Sequence, residues 1–110
     1  MATTPEGRIK IKIKKVLDQY KSFTYVDMPV PGGYGKPSLD FIGSACHPQG
    51  IGLAFAIEAK RPGGTPTPRQ RMTARLMQAG GIKVFVIDGD EGCAALQQWL
   101  HKVTWRAPGT

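Results

Sequence analysis

Apolar residues recur along the chain at two different spacings, and the switches between them divide the sequence into elements. At the start the two spacings compete. Ile9, Ile11 and Ile13 alternate with lysines as a strand would, whereas Ile9, Ile13, Val16, Leu17 and Tyr20 follow the face of a helix. The helical pattern runs longer. Thr4-Pro5-Glu6 also supplies a capping hydroxyl, a proline suited to the first turn and an acid at the positive end of the helix dipole. The pattern therefore predicts a helix over residues 5–21, with Ile11 the position that fits worst.

Phe23, Tyr25 and Val26 predict a strand ending before Pro29, and Pro31-Gly32-Gly33-Tyr34-Gly35 reads as a loop. Leu39 to Gly43 is a short apolar strand interrupted by Asp40, His47-Pro48-Gln49-Gly50 turns the chain back, and Gly52 to Lys60 is the clearest strand. These two strands read as a hairpin. Arg61-Pro62-Gly63-Gly64 ends the second of them, Thr67-Pro68 repeats the cap-then-proline signature, and the helix it opens runs to Ala79 before Gly80-Gly81. Lys83 to Asp88 has the composition of a buried strand. Glu91 to Val103 carries Leu96, Trp99, Leu100 and Val103 on one helical face, and the tail from Trp105 is expected to fray. The resulting order α-β-β-β-α-β-α implies an α/β fold, a mixed sheet with helices on its faces.

A chain of 110 residues suffices for one domain with one core, so residues 1–110 are read as a single unit. No apolar run approaches the roughly 20 residues needed to span a bilayer, and no secretory stretch follows the basic N-terminus, which points to a soluble protein of the cytoplasm. Cys46 and Cys93 stand far apart without a CxxC partner, and with His47 and His101 they match no zinc pattern. The formal net charge of +7 is the electrostatic footprint of a nucleic-acid binder, although a solvated basic surface would give the same number.

Glu58 and Lys60 are two apart on a predicted strand, so their side chains share one face with Ala54 and Ala56, small residues that leave room above it. Phe55 and Ile57 point the other way, into the core. An acid and a lysine at the end of an apolar strand need solvation, pairing or a metal. Asp40 lies within an apolar run on the preceding strand, where hairpin pairing can set it beside Glu58. Two adjacent carboxylates repel, and a hard divalent cation keeps both ionised. Such a cation, with a lysine at hand, suits phosphodiester cleavage. The bland alternative is an ion pair at a strand end.

The order Asp40, Glu58-Ala59-Lys60, Gln70 resembles the PD-(D/E)XK nuclease superfamily. Thr4-Pro5-Glu6-Gly7, the Gly32-Gly33-Tyr34-Gly35 loop, Leu39-Asp40-Phe41-Ile42-Gly43, Ile57 to Gly64, Thr67-Pro68-Arg69-Gln70 and Ala79-Gly80-Gly81 together resemble the small stand-alone VRR-NUC domains of phages, over residues 4–90. The resemblance implies a restriction-endonuclease-like fold and a Mg2+ or Mn2+ dependent DNA endonuclease, with a preference for branched or Holliday-junction-like DNA. It implies metal ligation by Asp40, Glu58 and the Ala59 carbonyl, Lys60 acting on the water, and Gln70 at the site. Glu6 is either a further metal ligand, direct or through water, or a helix-dipole carboxylate. The resemblance also implies a homodimer with two active sites. One departure is Leu39, where the family carries a proline before the first acid.

Most of the positive charge falls on the first helix, at Arg8, Lys10, Lys12, Lys14, Lys15 and Lys21, against Glu6 and Asp18. A second group, Arg61, Arg69, Arg71 and Arg75, flanks the proposed site and is expected to track DNA phosphates. Lys36 is placed with it. Tyr34 either stacks on a base or packs on a neighbour. Gly35-Lys36 is no phosphate loop, since Pro37 replaces the required Ser/Thr and Val30 the first Gly. A catalytically inert DNA-binding module of the same fold is the competing reading.

Overall fold

The computed structural model describes residues 3–29 and 38–108. The glycine loop with Tyr34 and Lys36 lies outside the described residues. The elements are α1 (Pro5–Gln19), a single 3-10 turn (Lys21–Phe23), β1 (Thr24–Asp27), β2 (Phe41–Cys46), β3 (Gly52–Ala59), α2 (Pro68–Ala79), β4 (Lys83–Ile87) and α3 (Asp90–Thr104). This is the order read from the sequence. The four strands form one sheet in the order β1-β2-β3-β4, antiparallel except for the parallel pair β3 and β4 joined across α2. No helix among the described residues is long and apolar enough to cross a membrane.

The competition in the first segment is won by the helix. The Thr4 hydroxyl accepts from the Gly7 N–H, Pro5 opens the first turn, and Ile9, Ile13, Val16 and Leu17 are buried. Burial of each such side chain is worth about 1.5–3 kcal/mol, which outweighs the weak helix propensity of isoleucine and valine. Ile11, the misfit, is exposed.

The alternation of side chains sends Phe41 and Ala45 of β2, Phe55, Ile57 and Ala59 of β3, and Ile87 of β4 into one core with α1 and α3. Trp99 of α3 meets the edges of Phe55 and Phe85 at 5.6 and 5.7 Å between ring centres. The opposite sheet face carries Ala56, Glu58, Val84 and Val86, and α2 covers part of it.

Several boundaries differ from the sequence reading. The second strand begins at Phe41, so Asp40 precedes it, and it continues to Cys46 rather than ending at Gly43. Lys60 lies one residue beyond β3, although its N–H still bonds the Ile87 carbonyl at 2.9 Å and keeps the backbone in line. Ala54 is exposed, but Ala56 is fully buried, so the expected open space does not extend along the whole face. Among the described residues β4 is an edge strand with only Ile87 buried, because no other described strand pairs along its second long side. The tail does not fray at Trp105. The Arg106 guanidinium lies 3.9 Å over the Phe23 ring and donates to the Thr104 carbonyl.

Candidate active site

The site is built at the end of the sheet where the parallel strands β3 and β4 finish. A tight turn bounds it. After Lys60, the Gly64 N–H bonds the Arg61 carbonyl at 2.8 Å, with Pro62 and Gly63 at the corners and Gly63 at φ 76°, a conformation that favours glycine. The chain then enters α2 through a full capping box: the Thr67 hydroxyl accepts from the Gln70 N–H, and the Gln70 side chain accepts from the Thr67 N–H. At the far end Gly81, at φ 87°, closes the helix while the Ile82 N–H reaches back to the Met77 carbonyl.

The β2–β3 register pairs Phe41 with Ile57, so one residue further Asp40 stands across from Glu58. The strand has ended there, and the Asp40 carboxylate takes over its main-chain bonding: Oδ2 accepts from the Ala59 N–H at 2.8 Å. Along a strand the N–H and C=O of one residue point the same way, so the Ala59 carbonyl is turned to the side where Asp40 lies. On the other side of Glu58, its Oε1 accepts from the Gln70 side-chain amide at 3.0 Å and lies 3.9 Å from the Lys60 ammonium. Gln70 thus fixes its helix with one amide atom and Glu58 with the other.

Glu58 is buried, and its carboxyl is pushed up to about 7. Burial is the largest cause, the adjacent Asp40 adds to it, and Lys60 opposes it. Around neutral pH the pair therefore holds less negative charge than two free carboxylates would, and a cation bound there would displace a proton.

Glu6 reaches the pair through an intermediary that the sequence reading left among the solvated lysines. Lys10 lies 3.9 Å from Glu6 Oε2 and 3.6 Å from Asp40 Oδ1. The available signal was its position four residues after Glu6 on the same helix face. A cleft of about 480 Å³ opens between the start of α1 and the Lys60–Thr65 turn, lined by Thr4, Glu6, Lys60, Arg61 and Gly64. Behind Glu58 a smaller, mostly apolar hollow of about 160 Å³ is lined by Leu39, Pro66, Gln70, Arg71, Ala74, Arg75 and Val86. The expected arginine group is thus split: Arg61 lines the cleft, Arg71 and Arg75 line the hollow, and Arg69 is exposed on the first turn of α2. Arg71 also donates to the Pro66 carbonyl at 2.8 Å.

Among the described residues no group of three or more His, Cys, Asp or Glu side chains could hold a metal ion. The site offers two carboxylates and a main-chain carbonyl. That set fits a small hard cation of the Mg2+ type, which commonly takes one or two carboxylates and completes its shell with water and phosphate oxygens.

A solved structure described as a VRR_NUC domain is similar to this chain in fold, with a TM-score of 0.69, covering 88% of this chain and 97% of that one at 21% identity. The fold is that of a VRR_NUC domain. No family model matches the sequence, and no curated protein matches it.

Proposed function

We propose that the chain is a metal-dependent endodeoxyribonuclease that hydrolyses phosphodiester bonds. The observation that carries this reading is the meeting of Asp40 and Glu58 at one end of the sheet, with Lys60 and Gln70 both on Glu58 Oε1. The VRR_NUC fold supports it.

Asp40, Glu58 and the Ala59 carbonyl would hold Mg2+ or Mn2+, and the ion, when bound, would polarise a phosphate and acidify a water. The chain's own residues do the rest. Asp40 is fixed by the Ala59 N–H and Glu58 by Gln70, so neither carboxylate has to be ordered when the substrate arrives. Lys60 is placed to orient the attacking water and to offset negative charge developing on the phosphate. Arg61, Arg69, Arg71 and Arg75, with Lys36 and Tyr34 from the glycine loop, would hold the DNA. Pairing into a homodimer would set two such sites on two strands, which suits branched DNA. The expected setting is the cytoplasm, that of the host if the chain is phage-encoded.

The test is cleavage of supercoiled plasmid and of branched duplexes in Mg2+ and in Mn2+. Wild type is expected to cut in at least one metal, and Lys60→Ala to be slower by about a hundredfold or more. No cleavage in either metal, or full activity in Lys60→Ala, would overturn the proposal. Salt-sensitive binding without turnover would identify an inert DNA-binding module instead.

A further inference from the structure

Lys10 behaves differently from the other cations of α1. Lys12 is engaged 2.8 Å from Asp90 at the start of α3, and Lys14 and Lys15 are exposed. Lys10 alone among the lysines of α1 lies against the candidate metal ligands, its side chain 31% exposed and paired with Glu6, which lines the cleft. The two oxygens of Asp40 are divided between sheet and helix: Oδ2 accepts from Ala59, and Oδ1 lies against Lys10. A divalent cation held by Asp40 and Glu58 would draw on the same carboxylate charge that Lys10 now neutralises. An ammonium and a divalent ion a few ångströms apart repel strongly, and a lysine on a flexible stem of four carbons is free to move away.

From this geometry, and resting on the function proposed above, we infer that Lys10 is a built-in counter-cation. It screens Asp40 and Glu6 in the metal-free protein, yields Asp40 when a divalent cation takes the carboxylates, and is thereby released to hold a phosphate of the DNA strand in the adjoining cleft. DNA contact by Lys10 is in this way conditional on the metal. A merely structural ion pair on an exposed helix face adds little stability and has no such linkage.

The full chain tests this in two titrations. In calorimetry with Mn2+ and no DNA, Lys10→Gln is expected to bind roughly tenfold tighter than wild type, the size of removing a unit charge near a divalent ion in a solvated setting. Lys10→Arg should stay near wild type. Glutamine and lysine have similar helix propensities, and Lys10→Met serves as a second neutral variant. In a Lys60→Ala background that suppresses cleavage, Lys10→Gln is expected to lower the log-log salt slope of duplex binding by about 0.9 with Mn2+ present and to leave it unchanged in chelator. Unchanged or weaker Mn2+ binding by both neutral variants, or an equal loss of slope with and without Mn2+, would overturn the inference. Failure of the wild type to take up Mn2+ at all would instead defeat the nuclease reading beneath it.

Discussion

The carboxylate of Asp40 accepts a hydrogen bond from the main-chain N–H of Ala59 at the point where β2 has ended and can no longer supply an acceptor. One side chain thus completes the sheet and holds itself beside Glu58. The two roles separate in variants. Asp40→Asn keeps an acceptor for Ala59 and is expected to retain stability while losing cation affinity and cleavage. Asp40→Ala leaves the Ala59 N–H without its partner and should cost a further 1–3 kcal/mol or so in urea denaturation.

The pH dependence follows from Glu58. Its folded carboxyl titrates near 7, above the usual 4.5, so the folded state holds the proton more tightly than the unfolded state. The corresponding stabilisation is fully present below 4.5 and is lost as pH rises through 7. Metal-free wild type is therefore expected to lose stability between pH 5 and 7.5 relative to Glu58→Gln, as read from denaturation midpoints at each pH. A difference between the two proteins that stays constant with pH would contradict the burial and repulsion assigned to Glu58.

Gln70 carries two bonds that can be parted by substitution. Gln70→Ala removes both the capping-box acceptor for Thr67 and the donor to Glu58, and is expected to cost about 1–2 kcal/mol and to reduce activity. Gln70→Glu keeps the acceptor for Thr67 but replaces the donor to Glu58 with a further negative charge. Helix content by circular dichroism should be preserved in Gln70→Glu while cleavage is lost.

Much of this arrangement was legible in the sequence because local signals and long-range packing agree. Thr4-Pro5 and Thr67-Pro68 mark both helix starts, and Gly80-Gly81 marks the end of α2. The apolar run ending in Glu58-Ala59-Lys60 fixed the central strand and its polar end. What failed depended on neighbours in space. The sequence KVFVI reads as a buried strand, yet β4 is an edge, and strand order decides that rather than composition. Asp40 sits in an apolar run that looks like strand, but its own side chain replaces the ladder there. Lys10 looks like one more lysine of a basic helix until the fold brings Asp40 against it. Arg106 was lost to an expected frayed tail because its partner, Phe23, is distant in sequence.

The position of β1 rests on a close backbone approach. A Cβ placed on Gly43 would lie 2.3 Å from the Tyr25 carbonyl oxygen of the paired strand. Gly43→Ala is expected to push β1 from β2 and to destabilise the protein by about 1–3 kcal/mol, seen as a lower denaturation midpoint. Increased amide exchange should be concentrated in Thr24–Asp27.

Asp40 and Glu58 are expected to hold one divalent cation together. Calorimetric titration with Mn2+ of wild type, Asp40→Asn and Glu58→Gln tests it most directly. Saturable binding by wild type that is strongly weakened in both variants is the predicted result. No binding by wild type, or binding that survives either substitution undiminished, would contradict it.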